Sequence, residues 1–132
     1  MTKLSDLRVD PALETEGVWV DFAAGVRLRI ARLANPRFQE RIFALAHRNG
    51  AAESEPTKEE RDQQLRRAVA ETVLVGWDQV EEEDGSPMPY SPERALEVLS
   101  DPGLRDLYEF VLRRAQDVEL YRRRRLEAHA GN

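Results

Sequence analysis

The cleanest alternation of apolar and polar positions lies near the start of the chain. Val18, Val20 and Phe22 alternate with Trp19 and Asp21; after Ala23-Ala24-Gly25, Val26, Leu28 and Ile30 alternate with Arg27 and Arg29. A period of two on both sides of a short loop containing Gly predicts an antiparallel hairpin over 17–32. Both strands direct aliphatic side chains to one face, the arrangement of a sheet packed on a core on one side and wet on the other. Trp19 then falls on the outer face, near Arg27 or Arg29. An isolated two-stranded hairpin is marginal in water. It must pack on helices or join another sheet, one from another subunit included. Residues 1–16 have no such period and read as an irregular arm, with Leu4, Leu7 and Val9 available to pin it to the body.

From Asn35 onward the apolar spacing becomes helical. Asn35-Pro36 is a cap followed by proline at the first helical position. Phe38, Ile42, Leu45 and Ala46 make an apolar stripe, widened by Phe43, and Asn49-Gly50 is a stop signal. The first helix is therefore placed at 36–49. A polar linker over 51–56 leads to Thr57-Lys58-Glu59-Glu60, a capping box. Leu65, Ala68, Val69, Thr72, Val73 and Gly76 carry helical spacing onward, which places a second helix at 58–75. Trp77 to Tyr90 reads as a connector, with a turn at Asp84-Gly85 and an extended path set by Pro87 and Pro89. Ser91-Pro92 opens a short helix over 92–100. Asp101-Pro102 opens the last, placed at 102–129 with Leu104, Leu107, Tyr108, Val111, Leu112, Ala115 and Val118 as its stripe. The expected fold is α+β and predominantly α-helical: one domain over 1–132, a small N-terminal β-hairpin packed on four to five helices.

Charge sharpens this picture. Of the 132 residues 34% are charged, against about a quarter in ordinary globular chains. With few aromatics, that excess points to helices with solvated faces. The net charge of −5 disfavours general nucleic-acid binding, which needs a basic field. No apolar run has the length of a signal peptide core or a membrane span. The absence of cysteine excludes disulfides, thiolate catalysis and cysteine-based zinc sites, and it fits a reducing cytosol.

Candidate chemistry is sparse. Glu81, Glu82, Glu83 and Asp84 lack the alternating ligand spacing of a calcium loop. They also lack the contrasting environments of an acid/base pair, so they read as a charged loop. Arg122 to Arg125 offer phosphate contacts on one reading and complement a helix C-terminus on another; consecutive arginines on a helix do not share a face. His47 and His129 share no metal-binding motif, no serine has a nucleophile motif, and neither glycine-rich phosphate loop is present. The expectation is a protein that is not an enzyme and uses no metal or cofactor. Trp19, Trp77 and Tyr90 remain: Trp77 reads as core or rim packing, whereas Trp19, on a polar face, is an interface candidate.

Two stretches carry a family resemblance. The first runs W-D-x-V, an acidic run, D-G-x-P-x-P-Y-S-P-E, then A-L-x-x-L-S-D-P-x-L-R-D-L-Y-E-F-V from Trp77 on; the second is G-V-W-V-D-F-A-A-G-V-R-L-R-I-A-R-L-A-N-P-R-F from Gly17 on. In this order they resemble the tail assembly chaperones of long-tailed, siphovirus-type bacteriophages. The resemblance implies a non-enzymatic protein of the infected bacterial cytoplasm, absent from the finished virion. Such a protein coats the tape measure protein and helps recruit the tail tube protein. It also implies the shorter of two frameshift products, ending at Gly131-Asn132. It transfers no catalytic residues. On the residues themselves, the expected self-association surface is the hairpin's outer face (Trp19, Arg27, Arg29). The expected client surface is an exposed ridge of the last helix (Tyr121, Arg122, Arg125). A homo-oligomer is expected. The competing classes are a virion component, such as a head–tail connector or tail terminator, and a small nucleic-acid-binding regulator using Arg122 to Arg125.

Overall fold

Caps followed by proline start three of the helices. Asp10, Asn35 and Ser91 each sit in extended backbone and accept a hydrogen bond from an N–H of the first turn, with proline next in sequence. Such a cap satisfies a donor that the helix leaves unpaired, and proline there gives up an N–H that had no partner. The computed structural model describes residues 1–47 and 55–122. Within them α1 is Pro11–Glu16, β1 Val18–Ala23, β2 Val26–Ile30, α2 Pro36–Ala46, α3 Lys58–Thr72, β3 Leu74–Asp78, α4 Pro92–Ser100 and α5 Arg105–Arg114. Single 3-10 turns occupy Leu4–Leu7, Pro102–Leu104 and Val118–Tyr121. The fold is α+β, with five helices among the described residues and one three-stranded antiparallel sheet of order β1-β2-β3.

The hairpin forms with Val18 opposite Ile30, Trp19 opposite Arg29, Val20 opposite Leu28 and Asp21 opposite Arg27. Its loop is Ala24-Gly25, with φ of 53° and 83°. Two positive φ values in a two-residue loop suit the right-handed twist of the flanking strands. A third strand then joins it, a difference from the sequence reading. Helix α3 stops at Thr72, not at 75, and Leu74–Asp78 pairs with β2. The run Val73-Leu74-Val75 is apolar and rich in β-branched residues, so periodicity alone does not separate strand from helix there. Ladder bonds to β2 and packing beneath the sheet decide it.

The core lies under the sheet. Val20, Leu28, Ile30 and Leu74 meet Val69 of α3 and Val73 just after it, Ala95 and Leu99 of α4, and Val111 of α5 with Ala115 at its end. The connector after β3 is tied to this body. The Trp77 indole N–H donates to the Met88 carbonyl (2.8 Å), its ring meets Tyr90 edge-on at 5.1 Å, and the Tyr90 hydroxyl donates towards the Leu74 (2.6 Å) and Ala70 (3.1 Å) carbonyls.

Both ends depart from expectation. The irregular arm contains α1, held by a Glu14–Arg32 ion pair of 2.7 Å. The long last helix does not form as one piece. Helix α5 ends at Arg114, and Asp117 caps a new turn by accepting from the Glu119 N–H (3.1 Å). That turn drives Leu120 and Tyr121 into the core. Asn49-Gly50, most of the 51–56 linker and everything beyond Arg122 lie outside the described residues.

Candidate functional site

The pleat of the sheet sends Val20, Leu28 and Ile30 inward. On the opposite face it gathers Trp19 and Asp21 of β1, Arg27 and Arg29 of β2, and Gly76 and Asp78 of β3. The sequence-predicted trio Trp19, Arg27 and Arg29 is therefore one surface. The Arg27 guanidinium carbon lies 5.2 Å from the centre of the Trp19 ring, within cation–π range. The Nε of Arg27 is 3.6 Å from an Asp21 carboxylate oxygen. Trp19 remains 40% exposed.

Two glycines let this surface lie flat. A Cβ on Gly76 would stand 3.3 Å from Arg29 Cβ and 3.6 Å from Trp19 Cη2. A Cβ on Gly17 would stand 3.1 Å from Arg29 Cγ, and its φ of +94° strains any other residue. Arg29 thus lies in a trough between Gly17 and Gly76, beside the Trp19 ring. Its Nε is buried and has no hydrogen-bond partner. Gly76 and Asp78 were missed from sequence because they were assigned to a helix end and a connector; reading Leu74–Asp78 with a period of two would have found them.

Among the described residues, the second predicted surface is not an exposed helical ridge. Tyr121 is fully buried; its hydroxyl donates to the Ile30 carbonyl (3.1 Å), and burial raises its pKa above the usual 10.0. Its carbonyl accepts from the Asp10 N–H (2.7 Å). Arg122 pairs with Glu119 and bridges to Val9. Arg125 and His129 lie outside the described residues. The break at Asp117 is the physical reason: it turns the chain by its side-chain cap and trades a solvated ridge for a buried aromatic.

Glu82, Asp84 and His47 have structural partners. Glu82 pairs with Arg94 at 3.0 Å, and Asp84 accepts from the Ser86 hydroxyl (2.6 Å) and N–H (2.9 Å). Those Ser86 bonds hold the Asp84 carboxyl below its usual pKa. His47 stacks on Phe43 at 4.1 Å and its Nδ1 lies 2.8 Å from the Phe43 carbonyl. A groove of about 410 Å³ between α2 and α3 is lined by Arg37, Arg41 and Glu71; Arg41 and Glu71 are joined at 2.5 Å. Among the described residues no three His, Cys, Asp or Glu side chains are grouped to hold a metal ion, and no helix is long and apolar enough to cross a membrane.

A family profile described as YdaY prophage protein matches residues 33–132, more than half of the chain. The chain belongs to the YdaY prophage protein family. It is a phage-derived protein. The matched region holds α2 to α5 and β3, whereas β1 and β2 precede it. The outer face of the sheet is thus built from both sides of that boundary. Neither a curated protein nor a solved structure matches the chain.

Proposed function

We propose that this YdaY prophage protein is a tail assembly chaperone that acts by binding and not by catalysis. In this reading it binds the tape measure protein in the host bacterial cytoplasm, assists assembly of the tail tube, self-associates, and leaves before the virion is complete. Membership of a prophage family supports a role in phage biology. The resemblance to tail assembly chaperones supports the finer assignment. The observation that carries it on this molecule is the flat outer face of the sheet, where a half-exposed Trp19 lies among Arg27, Arg29 and Asp21. Exposed tryptophan with arginine is the composition of protein-binding hot spots, and a mixed-charge surround suits a protein partner better than a nucleic-acid backbone.

The test is to induce the prophage and compare purified particles with the lysate by mass spectrometry. The proposal expects the protein in the lysate, bound to the tape measure protein, and absent from particles. Stoichiometric presence in particles overturns it in favour of a virion component such as a connector or tail terminator.

A further inference from the structure

We infer that the open edge of β1 pairs with β1 of a second copy, antiparallel about Val20, to make a two-fold dimer with a continuous six-stranded sheet. Among the described residues, Val18–Ala23 make no backbone hydrogen bond outside the pairing with β2. The opposite edge of the sheet is different: the extended segment after β3 folds back there, with Tyr90 on the Leu74 carbonyl and Met88 on the Trp77 indole. An unpaired row of N–H and C=O groups is a template for another strand, and natural edges are usually blunted by lysine, proline or a bulge. β1 has neither lysine nor proline, and its one irregularity lies at its far end, between Asp21 and Ala23.

Charge selects a second copy and its register. With β1 centred on Val20, two-fold symmetry sets Val18 opposite Phe22 and Trp19 opposite Asp21 of the other copy. The core-facing side then continues across the seam with apolar residues. On the outer side Asp21 of the other copy lands next to Trp19, two strands, or about 10 Å, from Arg29. Asp21 is 93% exposed, held only by a 3.6 Å contact to Arg27, and Arg29 has a buried Nε without a partner. The pairing sets each Asp21 carboxylate on the row of the other copy's Trp19 and Arg29, twice over by symmetry. Centring instead on Asp21 sets two carboxylates directly opposite, which is unfavourable. Centring on Trp19 leaves Arg29 without that carboxylate.

This inference rests on the reading of the sheet face as a protein-binding surface, and it is tested without the client, so the two can fail separately. Light scattering on the isolated full chain over a concentration series is expected to give a dimer, twice the 15.2 kDa of one copy. Asp21→Arg changes only an exposed side chain. It is expected to leave the circular dichroism unchanged and raise the dimer Kd at least about tenfold, since the symmetry axis counts the change twice. The chain has no cysteine, so the register is read directly. Trp19→Cys mixed with Asp21→Cys is expected to give a disulfide-linked dimer that neither variant gives alone. A monomer at every concentration overturns the inference, as does a dimer indifferent to Asp21→Arg that yields no mixed disulfide. Either result leaves client binding standing.

Discussion

Asn35 does more than cap a helix. Its Oδ1 accepts from the Phe38 N–H (3.1 Å), while its buried amide nitrogen donates to the Arg32 (2.7 Å) and Thr72 (3.1 Å) carbonyls. One side chain thus joins the start of α2 to the end of α3. Aspartate caps a helix as well as asparagine does but cannot donate. Asn35→Asp is therefore expected to cost as much as Asn35→Ala, about 2–4 kcal/mol in urea unfolding. If Asn35→Asp matches the wild type, the amide bonds contribute nothing. Tyr90 gives a residue-scale prediction with a pH sign. Burial lifts its pKa from 10.0 to about 12, so the folded state holds the proton more tightly than the unfolded state. Its contribution is complete below pH 10 and is lost as pH rises from 10 through about 12. Tyr90→Phe should be less stable than the wild type by about 1–2 kcal/mol near neutral pH, and that gap should narrow across this window. A gap constant with pH contradicts the assignment. The cap at Asn35 was legible in the sequence because its signal is local. The bond to Thr72, thirty-seven positions away, was not, because no local pattern encodes a long-range partner.

At the scale of elements, the hairpin, α2, α4 and the start of α3 were legible from capping and periodicity. The capping box reads directly: the Glu60 N–H donates to Thr57 Oγ1 (3.1 Å) and the Glu60 carboxylate accepts from the Thr57 N–H (3.3 Å). Two boundaries were not legible. Val73-Leu74-Val75-Gly76 satisfies helical spacing as well as strand spacing, and only pairing with β2 resolves it. Beyond Ala115 the apolar stripe continues in sequence through Val118, yet Asp117 starts a new turn; its capping chemistry was outweighed by the stripe. α1 was missed although Asp10-Pro11 carries the same cap-and-proline signal as Asn35-Pro36, because a six-residue helix has too few positions to show a period. Were Tyr121 on a solvated ridge, Tyr121→Ala would change stability by no more than about 0.5 kcal/mol. Buried beneath the sheet, it is expected to cost about 3–5 kcal/mol, and Tyr121→Phe about 1 kcal/mol for the bond to Ile30. Urea unfolding of the two variants distinguishes the cases.

At the scale of the molecule, α3, α4 and α5 pack on one side of the sheet, and among the described residues Trp19 and Asp21 stay exposed on its other side. The core closes against Val20, Leu28 and Ile30, and the outward residues of the same strands become a surface by pleating alone. That is why Trp19, Arg27 and Arg29 were legible as neighbours from a period of two, while Gly76 and Asp78 waited on the third strand. Tyr121, expected on a client-binding ridge of the last helix, is buried instead, because one capped turn ends that helix before it. The account of this phage-derived protein turns on whether it keeps the tape measure protein soluble. The direct measurement is co-expression of the two proteins followed by size-exclusion chromatography with light scattering. The account predicts a soluble co-eluting complex with the client insoluble when made alone. It also predicts that the combined Trp19→Ala and Arg29→Ala change lowers the mass of the assembly without unfolding this protein. A client that is insoluble with and without this protein, and no complex in the soluble fraction, contradicts it.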